Sequence, residues 1–490
     1  MNNASRCESL HSWHADWSGL RVAVLGLGVT GFSVADTLVE LGCNVIVVAK
    51  TADTLRLDMC SVLGIPVILD ASNDGVPPDL VEFAPDLIVV SPGYHPTHPI
   101  LTWSAANEIS VWGDIELAWR VRDKVGTPAE WILVTGTNGK TTTTQLTAHM
   151  LLHAGFRVAP CGNIGVPVLD AVRDPAGFDF FVVEISSYQL HSLRHVVPVS
   201  SVCLNVAPDH LDWHGGFEAY VAAKAKVYAN TKVACVYNRA DARTQRMVED
   251  ADVTEGARAI GFGLDSPGPS DFGLVEGILL DRAFLDNRHA EALEISTLDE
   301  LRANGLDSPH MVNNVLAASA LARSVGASIE AITEALRSFH VDAHRYETVA
   351  EIDGVTWIDD SKATNPHAAD ASLSANSSIV WIVGGLLKGV AIDDLVTRHV
   401  ARLKAAIVIG VDRTEVVRAF AQHAPHLPVV EVQTSETESV MEVAVGAAAT
   451  FVAHGDVVLL APAAASMDQF TDYAQRGRLF AEAVRSHLEP

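Results

Sequence analysis

The chain has 490 residues, with 34 lysines and arginines against 60 aspartates and glutamates, which gives a formal net charge of −26. Its length predicts more than one domain, and its 49% share of hydrophobic residues excludes a mainly disordered protein. A surface this acidic repels phosphate backbones, so a nucleic acid is excluded as the partner.

Two further features predict where the protein works. No apolar run approaches the about 18 residues that a membrane-spanning helix needs, and the N-terminal residues lack the basic and then apolar pattern of a secretory signal. The six cysteines are scattered without CxxC spacing, which favours free thiols over disulfides or a zinc site. We therefore expect a cytoplasmic protein without membrane insertion.

Apolar runs of strand length alternate with helical patterns along the chain, which predicts the α/β class. New series of strands follow a polar break at 122–130 and the stretch 340–345, so we predict three domains over 1–124, 125–342 and 343–490. The stretch 263–277 is rich in Gly, Pro, Ser and Asp and is predicted to be a surface loop. The clearest predicted strands are 21–25, 45–48, 87–90, 131–134, 180–183, 355–358, 379–383, 406–409 and 457–460.

A glycine loop follows the first predicted strand, with Gly26, Gly28 and Gly31 ahead of a helical pattern. Such glycines allow a tight turn and the close approach of a pyrophosphate to a helix N-terminus. A dinucleotide site also needs an acidic residue about 20 positions further on, at the end of the next strand. Ala49 and Lys50 stand there instead. A UDP-sugar is therefore favoured over a nicotinamide dinucleotide, and a purely structural turn stays open.

The sequence TGTNGKTT at 135–142 also lies between a predicted strand and a helical pattern. Successive backbone N–H groups in such a loop bind phosphates, the Lys140 ammonium can reach the outer phosphates, and Thr141 or Thr142 can ligate Mg²⁺. The spacing departs from the usual P-loop, because Gly136 stands only three residues before Gly139. Its position after a buried strand argues against a chance match and predicts binding of a nucleoside triphosphate.

Three residues further along are candidates for the same site. Glu184 ends a predicted strand and is a candidate Mg²⁺ ligand, although Ser186 or Ser187 as a helix cap beside a solvated Glu184 is the alternative. His210 lies in the stretch LNVAPDHLD at 204–212 and is a candidate ligand or an ordinary surface or core histidine. The helical spacing over 217–228 places Lys224 on the inward face, either as a functional lysine or as one that extends its charge to solvent.

The third predicted domain carries a polar loop after each of three strands: DDSKATNP at 359–366, GGLLKG at 384–389 and APAAASMDQF at 461–470. Open α/β sheets bind ligands at such loops. Two lysines and a hydroxyl group suggest a substrate that bears carboxylates. Asn365 before Pro366, and Ser466 before Gln469, also fit ordinary helix starts.

Together these motifs resemble the Mur ligase family, in order and over nearly the whole chain. The likeness implies an N-terminal Rossmann-like domain for a UDP-sugar, a central P-loop-type mononucleotide-binding domain for ATP, and a C-terminal Rossmann-like domain for an amino acid. The matching motifs are GLGVTG at 26–31, SPG at 91–93, GDIEL at 113–117, TGTNGKTTT at 135–143, GNIG at 162–165, EISSYQL at 184–190, APDHLD at 207–212, YVAAK at 220–224, HR at 344–345, DDSKATN at 359–365, GGLLKG at 384–389 and ASMDQF at 465–470.

The resemblance implies a ligase of peptidoglycan precursor synthesis, with a role in cell-wall growth and division. ATP would phosphorylate the carboxylate of UDP-N-acetylmuramoyl-L-alanine, and the amine of D-glutamate would attack the acyl phosphate. Its partners would be these small molecules, and we expect a monomer. Another Mur ligase, a folylpolyglutamate-type ligase, or a dinucleotide oxidoreductase are the alternatives.

The resemblance also implies which residues form the site, with Lys140 stabilising the transferred phosphoryl group and Lys224 present as a carbamate derived from CO₂. The implied ATP contacts are Gly136, Thr137, Asn138, Gly139, Lys140, Thr141, Thr142, Asn314, Arg345, Asp360 and Lys362. The implied Mg²⁺ ligands are Thr141, Glu184, His210 and Lys224. The implied UDP-sugar contacts are Val29, Thr30, Ser91, Pro92, Gly93 and Asn163, and the implied D-glutamate contacts are Thr364, Lys388, Ser466 and Tyr473.

Overall fold

The computed structural model describes residues 3–70, 74–434 and 436–488. It is an α/β protein with three sheets of five, nine and six strands. The chain divides into two compact units, the first made of Met1–Val206 and Val221–Phe339, the second of Ala207–Tyr220 and His340–Pro490. The predicted α/β class is confirmed.

The first sheet lies in the first unit and has the order β3-β2-β1-β4-β5, with every neighbouring pair parallel. Its strands are almost wholly apolar, as expected for a sheet covered on both faces. The elements are α1 (Asn3–Glu8), β1 (Arg21–Leu25), α2 (Val29–Glu40), β2 (Asn44–Ala49), α3 (Thr54–Val62), β3 (Val67–Leu69), α4 (Pro78–Phe83), β4 (Leu87–Val90), α5 (Pro99–Ala106), β5 (Ser110–Gly113) and α6 (Asp114–Arg120).

The second sheet, also in the first unit, has the order β14-β13-β12-β11-β10-β9-β6-β8-β7. Its first part is β6 (Glu130–Thr135), α7 (Lys140–His153), β7 (Val158–Gly162), α8 (Val168–Arg173), β8 (Phe180–Glu184), α9 (Ser187–His191) and β9 (Ser200–Cys203). Then follow α10 (Leu211–His214), α11 (Phe217–Ala225), a 3₁₀ turn (Lys226–Tyr228), β10 (Ala234–Asn238), α12 (Ala242–Glu249), β11 (Arg258–Phe262), β12 (Asp271–Val275), β13 (Ile278–Asp281), β14 (Leu293–Thr297), α13 (Leu298–Arg302), α14 (Pro309–Ser324) and α15 (Ile329–Ser338). Of these elements, α10 and the first turn of α11 belong to the second unit.

The predicted surface loop over 263–277 is wrong in its second half. Residues Asp271–Val275 form β12, which pairs in parallel with β11 and antiparallel with β13. Phe272 is fully buried there, so the strand exists because a distant part of the chain covers its apolar side chain. A local count of glycine and proline does not detect that cover.

The third sheet lies in the second unit and has the order β15-β16-β20-β17-β18-β19, parallel except for the β15–β16 pair. Trp357 and Trp381 are buried on its two faces. The elements are β15 (Glu347–Ile352), β16 (Val355–Asp359), α16 (Pro366–Ser374), β17 (Ile379–Gly384), α17 (Asp393–His399), a 3₁₀ turn (Val400–Arg402), β18 (Leu403–Ile409), α18 (Thr414–His423), β19 (Val429–Glu431), α19 (Thr437–Ala449), β20 (Val457–Leu460) and α20 (Tyr473–Leu488).

Two further sequence predictions concern the cysteines and membrane-spanning helices. All six cysteines are buried and free, which confirms the prediction of free thiols. Within the described residues, no helix is long and apolar enough to cross a membrane.

Candidate functional site

The loop between β6 and α7 is shaped by two glycines. Gly136 has φ +152° and Gly139 has φ +84°, a region that side chains disfavour. A Cβ on Gly139 would also lie 2.4 Å from Asn314 Oδ1, so a larger residue does not fit. The loop therefore brings its backbone to the N-terminus of a 14-residue helix that starts at Lys140, which is a favourable place for phosphate groups.

Side chains on the loop and beside it complete this phosphate-binding shape. Lys140 Nζ donates to the carbonyl oxygens of Gly136 and Thr137, at 3.0 and 2.9 Å, so it lies over the loop. Asn205 was not predicted, yet its Oδ1 accepts from Asn138 N at 2.9 Å and its Nδ2 donates to Asn138 O at 3.1 Å. This amide fixes the loop from the end of β9. Its position five residues before the candidate ligand His210 is the sequence signal that could have identified it.

Glu184 is the last residue of β8, beside Val134 of β6 in the same sheet. It is 1% exposed, so the alternative of a solvated carboxylate is wrong. Its Oε1 accepts from Asn163 Nδ2 at 2.9 Å, whereas its Oε2 is buried and has no hydrogen-bond partner among the described residues. A buried carboxylate oxygen without a donor fits a divalent-cation ligand. Ser186 does cap α9, so that part of the alternative is confirmed.

Lys224 projects from α11 into the protein and is 2% exposed. Its Nζ donates to Gly136 O at 2.8 Å and lies 3.4 Å from Thr135 Oγ1, directly at the start of the phosphate loop. Lys226, two residues on, is exposed and donates to His191 O. The predicted inward orientation of Lys224 is confirmed, and the extension of its charge to solvent is wrong.

The second unit contains His210, whose backbone has a φ of +54°. Its Nε2 lies 3.5 Å from Asp209 Oδ2. The other oxygen of Asp209 accepts from Lys388 Nζ at 2.8 Å, and both partners of this ion pair are largely buried. The structure thus joins two predicted site residues, His210 and Lys388, through a carboxylate that the sequence prediction did not select. The motif APDHLD contains it, so the signal was present.

The loop after β16 holds two buried carboxylates. Asp359 accepts from His344 Nδ1 at 2.6 Å, and this hydrogen bond raises the pKa of His344. Asp360 accepts from Tyr346 N and from the Ser372 hydroxyl, and burial raises the pKa of Asp360 to about 6.

Nearby side chains extend this loop into a polar surface. Arg345 Nη2 is buried and has no hydrogen-bond partner in the described part of the chain. This guanidinium nitrogen could therefore donate to a bound anion. Lys362 Nζ lies 3.6 Å from the centre of the Tyr473 ring.

Arg476 was missed by the sequence prediction and connects two loops that bear predicted site residues. It is fully buried and donates to Ser361 O and Ser361 Oγ at 2.7 and 2.9 Å, and to Ala464 O at 3.2 Å. It therefore ties the loop that bears Thr364 to the loop that bears Ser466. Burial lowers the pKa of Arg476 to about 10, and the two loops supply carbonyl oxygens in place of water.

The first glycine loop adjoins a cavity of about 710 Å³ in the first unit, lined in part by Val29, Asp53 and Arg56. A Cβ on Gly31 would lie 2.0 Å from Gly26 O, so only glycine permits this turn. Ser91 Oγ lies beside the turn, buried and without a hydrogen-bond partner among the residues described. Asp53 caps α3, with its side chain accepting from Arg56 N.

Two family models match separate parts of the chain. The model of the Mur ligase middle domain matches residues 134–322, and that of the Mur ligase glutamate ligase domain matches residues 344–464. A UDP-N-acetylmuramoylalanine--D-glutamate ligase of Leifsonia xyli subsp. xyli is 63% identical over 99% of this chain and 96% of its own length. The chain belongs to the Mur ligase family. The protein of the same name from Streptomyces coelicolor is 48% identical over 96% of this chain and 99% of its own.

Solved structures of Mur ligases and related peptide ligases share the fold of this Mur ligase. UDP-N-acetylmuramate-alanine ligase from Thermotoga maritima superposes with a TM-score of 0.56 at 20% identity, over 96% of this chain and all of its own. A pseudomurein peptide ligase type C from Methanothermus fervidus gives 0.57 at 17% identity, with the same coverage of both chains. At these identities the likeness concerns the fold alone, and the predicted family is confirmed by the closer relatives.

Proposed function

We propose that this chain joins D-glutamate to UDP-N-acetylmuramoyl-L-alanine in an ATP-dependent ligation of peptidoglycan precursor synthesis. The observation that carries the proposal is the 63% identity, over nearly the full length of both chains, to a relative with that name. The phosphate loop, the buried Glu184 and the buried Lys224 supply chemistry that a ligase needs and a dinucleotide oxidoreductase does not.

ATP phosphates bind, in this proposal, along the loop from Gly136 to Thr142. Lys140 leaves its two carbonyl partners and contacts the γ-phosphoryl oxygens, where its positive charge stabilises the charge that develops during transfer. Thr141, Glu184, His210 and Lys224 are the proposed Mg²⁺ ligands, and Glu184 Oε2 is the oxygen already free to serve. When bound, Mg²⁺ neutralises phosphate charge and orients the transferred group.

We further propose that Lys224 acts as a carbamate. An ammonium repels Mg²⁺, and burial disfavours the charged form of an amine. The neutral amine attacks CO₂ and loses a proton, which leaves an N-carboxylate with oxygen atoms of the kind that Mg²⁺ prefers. The Nζ of Lys224 lies at the first glycine of the phosphate loop, where such oxygens would stand beside the bound phosphates.

The second half of the reaction uses residues of the second unit. Thr364, Lys388, Ser466 and Tyr473 are the proposed contacts of D-glutamate. Because Lys388 already holds the Asp209 carboxylate, a substrate carboxylate would replace or share that partner. The substrate amine then attacks the acyl phosphate and loses a proton as the C–N bond forms, and phosphate leaves with the C–O electron pair.

Further residues are proposed to bind the ATP nucleotide and the UDP-sugar. Arg345, whose Nη2 has no hydrogen-bond partner among the residues described, is proposed to bind the ATP nucleotide together with Asn314, Asp360 and Lys362. The UDP-sugar contacts are proposed as Val29, Thr30, Ser91, Pro92, Gly93 and Asn163. We propose that the three domains span 1–124, 125–342 and 343–490 and that the protein acts as a cytoplasmic monomer.

The test of the proposed function is phosphate release from ATP with UDP-N-acetylmuramoyl-L-alanine and a panel of amino acids. D-glutamate should support release in equal amount to the ligated product, and L-glutamate, L-alanine and diaminopimelate should not. A preference for another amino acid would reject the proposed substrate, and no release with any of them would reject the ligase.

The carbamate has its own test. Lys224→Ala should be inactive and should recover activity when short carboxylic acids are added, and the parent enzyme should lose activity when bicarbonate is depleted. A simple ammonium–phosphate contact would tolerate Lys224→Arg, so full activity of that variant would eliminate the carbamate.

A further inference from the structure

The GDIEL motif at 113–117 has no role in the site described above, although it lies within reach of it. Asp114 and Glu116 stand in the first turn of α6 and are 7% and 1% exposed. Both carboxylates point to the segment that follows Glu184, and each one contacts a different end of it. Two buried carboxylates of one short helix therefore accept hydrogen bonds from the segment that directly follows the proposed metal ligand.

Asp114 contacts the end of this segment that is nearer to Glu184 in the sequence. Its Oδ2 accepts from Gln189 Nε2 at 2.9 Å, with both side chains buried. Gln189 Oε1 in turn accepts from Ser186 N and Ser186 Oγ, both at 3.0 Å, and these bonds form the capping box of α9. Ser186 stands two residues after Glu184. A continuous chain of hydrogen bonds thus runs from Asp114 to the backbone beside the proposed Mg²⁺ ligand.

Glu116 contacts the end of this segment that is farther from Glu184 in the sequence. Its Oε2 accepts from the backbone N–H groups of Arg194 and His195, both at 3.1 Å. Its Oε1 lies 2.6 Å from His195 Nδ1 and accepts from Arg120 Nε at 2.9 Å. These contacts stabilise the turn after α9, but they lie nine or more residues beyond Glu184 in the sequence.

The direction of the hydrogen bonds that link Asp114, Gln189 and Ser186 determines which substitutions disrupt them. Because Asp114 only accepts, Gln189 must present its NH₂ group to Asp114 and its oxygen to Ser186. A donor at position 114 would turn the amide of Gln189 around and leave Ser186 N facing another donor. Burial also raises the pKa of Asp114 to about 6, so the carboxylate depends on the few donors that it has.

We propose that Asp114 is a positioning residue which, through Gln189 and Ser186, holds the backbone next to Glu184 in the geometry that Mg²⁺ binding requires. This inference rests on the proposed function. Glu184 has one side-chain partner, Asn163, and an Oε2 without any among the described residues, so its carboxylate depends on the backbone that carries it. Partners that orient a metal ligand typically contribute about 10- to 100-fold to metal affinity.

The experiment exchanges the carboxylate and the amide. Gln189→Glu alone sets two buried carboxylates against each other, and Asp114→Ala alone leaves the buried Gln189 Nε2 without its acceptor. The double variant, Asp114→Asn with Gln189→Glu, restores an amide–carboxylate pair with the roles reversed, since the new amide at position 114 is then the donor and the new carboxylate at position 189 still accepts from Ser186. Each single change should raise the Mg²⁺ concentration for half-maximal phosphate release about 10-fold or more, and should raise by a similar factor the Mg²⁺ concentration that half-saturates the thermal stabilisation of the enzyme by ATP and Mg²⁺. The double variant should return to within about three-fold of the parent, with the KM for D-glutamate unchanged throughout.

Glu116→Gln is the matched control, because it alters the other buried carboxylate of the same helix. It should lower the melting temperature and leave the Mg²⁺ requirement of the parent unchanged. An equal shift in Glu116→Gln, no shift in the single variants, or a double variant no better than the worse single one would each overturn the inference. If Gln189→Glu does not fold, Asp114→Ala and the double variant Asp114→Asn with Gln189→Glu still decide. Activity of the parent is measured first, so failure of the proposed function is seen separately.

Discussion

The hydrogen bond from Asn163 to Glu184 gives the sharpest prediction about the metal site. Asn163→Ala removes the donor 2.9 Å from Glu184 Oε1. Glu184 is 1% exposed and its Oε2 already lacks a partner among the described residues, so the variant leaves a buried carboxylate without its side-chain donor. The carboxylate is then free to rotate away from the orientation that a Mg²⁺ ion needs.

The size of the effect follows from the charge of the acceptor. A hydrogen bond to a charged group contributes about 1.5–3 kcal/mol, and loss of a partner that orients a metal ligand typically costs about 10- to 100-fold in affinity. These figures agree, because about 1.4 kcal/mol corresponds to a factor of ten. We expect Asn163→Ala to raise the Mg²⁺ concentration for half-maximal activity by about 10- to 100-fold.

The assay is phosphate release as a function of Mg²⁺ at saturating ATP and UDP-N-acetylmuramoyl-L-alanine. The matched control is Asn287→Ala, which removes an Asn Nδ2 to Glu Oε1 hydrogen bond of the same 2.9 Å length, but between exposed residues, with Glu291 as acceptor. The control should behave as the parent. If Asn163→Ala instead raises the KM for the UDP-sugar and leaves the Mg²⁺ dependence unaltered, the reasoning from this hydrogen bond is refuted and Asn163 serves the substrate.

Three further predictions concern the phosphate loop and the second unit. Lys140→Ala should lower turnover by about 10²- to 10³-fold with the fold intact by circular dichroism, and turnover within a few-fold of the parent would contradict its role. Gly139→Ala places a Cβ 2.4 Å from Asn314 Oδ1 at a φ of +84°, so it should cost about 1–2 kcal/mol of stability and weaken ATP binding, measured by thermal denaturation with and without ATP. The pKa of His344 is raised above 6.5 by its hydrogen bond to Asp359, so this pair stabilises the fold fully below pH 6.5 and loses its effect as pH rises through the raised pKa. His344→Gln should therefore lower the urea-unfolding free energy more at pH 6 than at pH 9, and an equal loss at both would contradict the pair.

The local sequence was sufficient for the parts of this protein that depend on neighbours along the chain. Apolar runs of strand length predicted nine of the twenty strands in the described part of the chain, because a strand buried on both faces is apolar throughout. Glycine spacing predicted the phosphate loop, because only glycine tolerates the backbone angles at Gly136 and Gly139. Helical spacing predicted that Lys224 faces inward, since residues three and four apart share one face of a helix.

Only the tertiary structure decided which distant groups meet. The carboxylate of Glu184 meets Asn163, Asp209 lies between His210 and Lys388, and Asp114 reaches Gln189. The strand β12 within a stretch rich in glycine and proline belongs to the same class. Most of these pairings join residues that are far apart in the sequence. Burial removes water from both groups, and the hydrogen bond or ion pair between them replaces the contacts with water that each group loses. Periodicity along one element carries no information about the partner that replaces that water, so the partner becomes known only when the elements are packed.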